Sequence, residues 1–155
     1  MKTEDYAKKY RQILIRLNKE KVLKQYQVLL RGTANEKKLT LLTIDEENNW
    51  LNNMPIIDEK TCSNHSLAFF RFDDKIGPLN FIKNSAKQDN NTYLLQIETV
   101  VPSYYILDAL DELNLSFDYY FASGIITVLS INQRIQIEWG EYDDELMFEI
   151  NIYTR

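Results

Sequence analysis

The chain has 155 residues, 45 % of them apolar and 26 % charged, and 18 Lys and Arg against 23 Asp and Glu give a formal charge of −5. This composition excludes a disordered chain, and 4 Gly and 3 Pro exclude collagen-like and linker-like classes. No apolar run in the sequence reaches the ~18–20 residues that span a bilayer, and a single Cys allows no intrachain disulfide.

A length near 150 suits one α+β domain over residues 1–155, large enough to bury about 68–70 % of its unfolded surface. Behind Lys8 and Lys9 the N-terminus alternates polar and apolar residues instead of opening an apolar stretch, so a cytoplasmic location is expected. The abundance of Asn, Ile and Lys matches A/T-rich bacterial or phage genes. Charge is unevenly placed: residues 1–40 sum to +7, residues 41–89 to −3 and residues 90–155 to −9. Either the basic and acidic parts neutralise each other in the fold, or they face different partners.

In chain order, residues 3–20 read as an amphipathic helix, with Tyr6, Tyr10, Ile13, Leu14 and Leu17 on a 3.6-residue stripe and Thr3, Glu4 and Asp5 at its start. Residues 25–31 and 39–44 read as two strands joined around Gly32. A short helix is expected over 46–53, with Trp50 and Leu51 inward and Pro55 beyond its end. A loop over 55–66 leads to a strand at 66–72, and a short strand at 79–83 precedes a polar loop at 84–92.

The second half carries clearer patterns. A strand is expected at 92–101, followed by a helix near 103–115 with Ile106, Leu107, Leu110 and Leu113 inward. Strands at 116–122, 125–131, 134–139 and 145–153 follow, the last alternating Leu146, Phe148, Ile150 and Ile152 with Met147, Glu149, Asn151 and Tyr153. A three-residue loop at Asn132 would set Ile131 opposite Ile135 and Leu129 opposite Ile137, gathering apolar side chains on one face. The expected fold is α+β: a mainly antiparallel sheet, with the N-terminal amphipathic helix and the helix near 103–115 packed on one face.

Few residues are candidates for chemistry. Cys62 and His65 are the lone Cys and His, and a thiol next to an imidazole can be an activated nucleophile. No third residue to orient the imidazole is apparent, so the chain carries no assigned catalytic set. One Cys and one His are too few for a zinc site, so neither a metal nor another cofactor is assigned. Residues 138–145 hold five carboxylates: Glu138, Glu141, Asp143, Asp144 and Glu145. With Trp139 and Tyr142 they also fit a glycosidase-like pair of acids. The basic N-terminal segment invites a nucleic-acid reading, but a pI near 5.0 opposes it and its tyrosines fall on the stripe expected to face the core.

The acidic second half instead suits a basic protein partner, with Glu138, Glu141, Tyr142, Asp143, Asp144, Glu145 and Tyr119 as contact residues. A small acidic α+β chain of this profile is similar to toxin-neutralising immunity proteins and to phage-encoded inhibitors, classes defined by what they bind. That similarity implies an inhibitor that covers the cleft of a basic toxin, for example a nuclease. The alternatives are a chaperone for a secreted effector and a small hydrolase using Cys62 and His65 or the carboxylates of residues 138–145. No membrane partner is expected.

Overall fold

The computed structural model describes residues 3–31, 42–54, 56–85, 93–97, 103–107 and 124–155. In chain order the elements are α1 (Thr3–Leu30), α2 (Ile44–Asn53), β1 (Asn64–Arg71), α3 (Gly77–Ser85), β2 (Tyr93–Ile97), β3 (Ser103–Leu107), β4 (Gly124–Leu129), β5 (Gln133–Tyr142) and β6 (Glu145–Thr154). The strands form one six-stranded sheet in the order β1-β6-β5-β4-β2-β3, and every neighbouring pair is antiparallel. The α+β class, the antiparallel sheet and the N-terminal helix are as the sequence implies.

Alternation builds the core. In β5, Ile135, Ile137 and Trp139 are buried, and the register places Ile126 and Ile150 beside Ile137, and Val128 and Ile152 beside Ile135. Phe148 lies opposite Trp139 and Phe70. Tyr26 of α1 and Ile82 of α3 join this cluster, while Phe70, Phe72, Leu79 and Phe81 pack against it. The Tyr26 hydroxyl accepts a 3.0 Å hydrogen bond from the N–H of Ile97, fastening α1 to the end of β2.

Several local expectations are corrected. Residues 25–30 are the last turns of α1, not a strand, because no Gly or Pro interrupts the chain before Gly32. The expected strand at 39–44 fails where it is described: Leu42 and Thr43 are outside any strand, and Ile44 opens α2. The Thr43 hydroxyl accepts from the N–H of Glu46, whose carboxylate accepts from the N–H of Thr43 in return, a capping box that starts the helix. Residues 79–83 belong to α3 rather than to a strand. The Asp74 carboxylate accepts from the N–H groups of Ile76 and Gly77, and Pro78 suits the first turn.

The helix expected near 103–115 is a strand over Ser103–Leu107, paired with β2. A Tyr-Tyr-Ile run favours the pleated, half-buried setting that β2 offers. Residues 108–115, the strand expected at 116–122, and the ends of the 84–92 loop and 92–101 strand lie wholly or partly outside the described residues. The β4–β5 turn is also tighter than expected. Ser130 N–H donates to the Gln133 carbonyl at 2.9 Å, so Ile131 and Asn132 form a two-residue loop and Val128 faces Ile135. Ile131 is consequently 46 % exposed, and Ile126 and Val128, rather than Leu129 and Ile131, face Ile137 and Ile135.

The stripe of α1 points the other way from the expected one. Tyr6 is 66 % exposed, Tyr10 57 %, Ile13 47 % and Leu17 75 %. The anchored side of the helix carries Lys8, Arg11 and Tyr26. Lys8 Nζ lies 2.8 Å from Asp45 of α2, and Arg11 lies 2.6 Å from the buried Glu47. These two pairs join the basic N-terminal segment to the acidic first turn of α2, so part of the charge asymmetry is neutralised within the fold.

Candidate functional site

The second face of β1, β6 and β5 contrasts with the core face. The register sets out its rows: His65, Tyr153 and Arg134; Leu67, Asn151 and Gln136; Phe69, Glu149 and Glu138; Arg71, Met147 and Gly140. Leu67 and Phe69 are about half exposed on edge strand β1, and Tyr142 is 37 % exposed at the end of β5. The Tyr142 ring meets the Phe69 ring edge-on, with centroids 6.0 Å apart, so both sides of this contact are aromatic and partly solvated.

Carboxylates flank one side of that patch. Glu138 and Glu149 face each other directly across β5 and β6, an arrangement that is destabilising unless other groups intervene. Here each accepts a hydrogen bond: Gln136 Nε2 donates to Glu138 at 2.7 Å, and the Tyr142 hydroxyl donates to Glu149 at 3.3 Å. Partial burial raises the Tyr142 hydroxyl above its ordinary pKa, with the negative charge of Glu149 adding to the effect. The phenol therefore stays protonated and keeps donating at neutral pH.

The acidic segment is mostly strand, where the sequence suggested a loop. β5 runs to Tyr142 and β6 begins at Glu145, leaving only Asp143 and Asp144 as the turn. Both have positive φ, 50° and 64°, as a tight hairpin turn of the hand that matches strand twist requires. Asp tolerates this region better than most residues because its short side chain can bond locally. Glu141, Tyr142, Asp143, Asp144 and Glu145 are all exposed at the tip. Glu145 pairs with Arg71 at 3.1 Å across the edge of the sheet, so this acid has a cation beside it. Glu138 is partly buried within β5, away from the tip. Tyr119 lies outside the described residues.

Cys62 and His65 go to different partners. Residues 58–62 are wound into a turn by Asp58, whose carboxylate accepts from the N–H groups of Lys60 and Thr61 and whose carbonyl accepts from the N–H of Cys62. Those backbone donors hold the Asp58 carboxyl below its ordinary pKa. The Cys62 thiol points to the Glu59 carbonyl at 3.8 Å. His65 stacks on Tyr153, with centroids 4.4 Å apart, and its Nε2 lies 2.8 Å from Asn151 Oδ1. A thiol–imidazole couple needs a hydrogen bond between the two groups, and here both are engaged elsewhere.

The described residues contain no group of three or more His, Cys, Asp or Glu side chains placed to hold a metal ion. No helix among them is long and apolar enough to cross a membrane. No family model, curated protein or solved structure matches the chain.

The exposed patch on β1 is the part of the site that sequence reading missed. Ser66-Leu-Ala-Phe-Phe-Arg-Phe72 is apolar on nearly every position, so alternation cannot tell which residues face out. The available signal was the pairing partner: β6 alternates cleanly, and whatever faces Glu149 and Asn151 shares their open side.

Proposed function

We propose that the chain is a binding protein that neutralises a basic protein partner in the cytoplasm, in the manner of an immunity protein against a toxin such as a nuclease. One observation carries this reading: an exposed apolar patch of Leu67, Phe69 and Tyr142 on an open sheet face, flanked by Glu138, Glu149 and Glu145, with Asp143 and Asp144 in the adjoining turn and Glu141 at the hairpin tip. Aromatic anchors inside a charged rim are the arrangement in which a few central side chains supply affinity and the rim supplies encounter rate. A basic cleft would meet carboxylates that are hydrated at the hairpin tip, and cover aromatic rings that water already reaches.

The test begins with a tagged copy expressed in its own host and the identification by mass spectrometry of what is retained. Binding is then measured by surface plasmon resonance with both proteins purified, at low and at high salt. Glu141→Lys, Asp143→Lys and Asp144→Lys together are expected to slow association tenfold or more. Phe69→Ala is expected to act mainly on dissociation. Added salt should slow wild-type association as it screens charge over about 8–10 Å. A triple reversal that associates at the wild-type rate would assign the acids to solubility and place the interface elsewhere.

A further inference from the structure

The chain carries a second exposed apolar surface, and its charge is opposite to that of the first. At about 100° per residue, Tyr6, Tyr10, Ile13 and Leu17 form one narrow line on α1. Lys8, Arg11 and Tyr26, which fasten the helix to Asp45, Glu47 and Ile97, lie on the opposite side. The line is therefore turned away from the body by the same contacts that hold the helix in place. Exposed Lys9 and Arg16 border it and exposed Lys24 continues it, while Asp5 is the acidic residue among the described side chains from 5 to 24. Four large apolar side chains left to water in one line exceed the scattered singles of an ordinary surface.

We infer that the outward line of α1 in one copy seats on the open β1–β6–β5 face of a second copy. Three features of the molecule fit. The two surfaces are complementary in charge: Lys9, Arg16 and Lys24 lie on one, and on the other Glu138, Glu145, Glu149 and the turn acids Asp143 and Asp144 outnumber Arg71 and Arg134. They are complementary in chemistry, since an aromatic and aliphatic ridge meets a patch of Leu67, Phe69 and Tyr142. They match in length: the line from Tyr6 to Leu17 rises about 16 Å, and β1 from His65 to Phe69 runs about 14 Å. Pairing α1 with a second α1 would bring Lys9 and Arg16 toward like charges, which a sheet face rich in carboxylates avoids. The contact joins unlike patches, so it is heterologous. The inference uses the face assigned above to a basic partner, and it makes self-association and partner binding mutually exclusive.

Sedimentation velocity of the full chain over a wide concentration range tests it, with circular dichroism to confirm that each variant folds. The wild type is expected to associate as concentration rises, and less so in high salt. Lys9→Glu with Arg16→Glu should weaken association at least tenfold, and Glu141→Lys with Asp143→Lys and Asp144→Lys should do the same. An equimolar mixture of the two variants should associate again, because every α1–sheet contact between unlike chains then pairs opposite charges. Tyr10→Ser with Leu17→Ser should abolish association at any salt concentration. A wild type that stays monomeric throughout would overturn the inference, even if the acidic face still binds the captured partner. So would a mixture that stays monomeric, or an association lost with the α1 reversal but untouched by the hairpin reversal. Wild-type chains that remain single but bind vesicles of anionic lipid through Lys9 and Arg16 would also overturn it, by giving the helix another occupant.

Discussion

Replacing Phe148 by Ala removes the ring at the centre of the core. Phe148 is fully buried, stacks on Phe72 with centroids 4.8 Å apart, and lies opposite Trp139 and Phe70. An aromatic side chain buries about 150–250 Å², and about 25 cal/mol per Å² puts an upper bound near 4–6 kcal/mol on its transfer. Ala keeps part of that area, whereas the cavity left behind adds to the loss, so about 3–5 kcal/mol is expected. The Lys75 ammonium sits 4.0 Å from the Phe72 ring centroid and 5.2 Å from that of Phe148, so some cation–π attraction goes too, on the order of 0.5 kcal/mol. That total is a large part of the roughly 5–15 kcal/mol that holds a domain folded. Urea unfolding followed by circular dichroism measures it, with an unchanged slope showing that the denatured state is unaltered. Ile131→Ala is the paired control: it sits in the β4–β5 turn and should cost less than about 1 kcal/mol, because most surface changes do. A Phe148→Ala loss below 1 kcal/mol, or an Ile131 loss as large as that of Phe148, would refute the observed register.

Further changes test other parts of the fold. Gly77→Ala should cost about 1–3 kcal/mol, since a Cβ there would lie 2.5 Å from Asp74 Oδ2 and 2.9 Å from the Phe70 ring; thermal melts should show it. Arg11→Ala should destabilise by about 2–4 kcal/mol in urea titrations at pH 7, because it leaves the buried Glu47 carboxylate without its cation. Glu47 is held above its ordinary pKa chiefly by burial, with Arg11 opposing. Its stabilising contribution is therefore present below the ordinary value of 4.5 and is lost as pH rises through the raised one. Glu47→Gln should accordingly flatten stability against pH above 4.5, as urea midpoints across that range would reveal. Cys62→Ser should leave partner affinity within about twofold, since no step depends on a thiolate; a folded variant that no longer binds would contradict the binding reading.

The sequence disclosed those elements in which a single physical demand dominates. β5 and β6 alternate because one face is buried and the other wet, so their core residues could be read directly, although β5 continues past Trp139 to Tyr142. The α2 helix was legible from its acidic first turn, and Thr43 supplies its cap. Elements set by competition were not legible. Residues 79–83 form a short apolar run that suits either element, and the decision belongs to Asp74 and Gly77 just upstream. Ser103–Leu107 holds residues of an apparent helical stripe, yet pairing with β2 satisfies its backbone and fixes it as a strand.

The candidate site was half visible for a related reason. Composition alone exposes an acidic cluster, because charged side chains are costly to bury and so announce their own exposure. Apolar side chains carry no such mark. Period finds the line of Tyr6, Tyr10, Ile13 and Leu17 correctly, but a period says only that these residues share a side. Which side meets the body depends on Tyr26 reaching Ile97 and Arg11 reaching Glu47, contacts spanning 71 and 36 residues of sequence. Phe69 is similar: its neighbour Phe70 faces the core, and only pairing with Glu149 turns Phe69 outward. Both exposed apolar surfaces thus arise from long-range contacts, and each lies beside charges mostly of one sign. That conjunction is what separates a surface meant to be covered from apolar residues left out for want of room, and it is the reason the acids and the cations are best tested together.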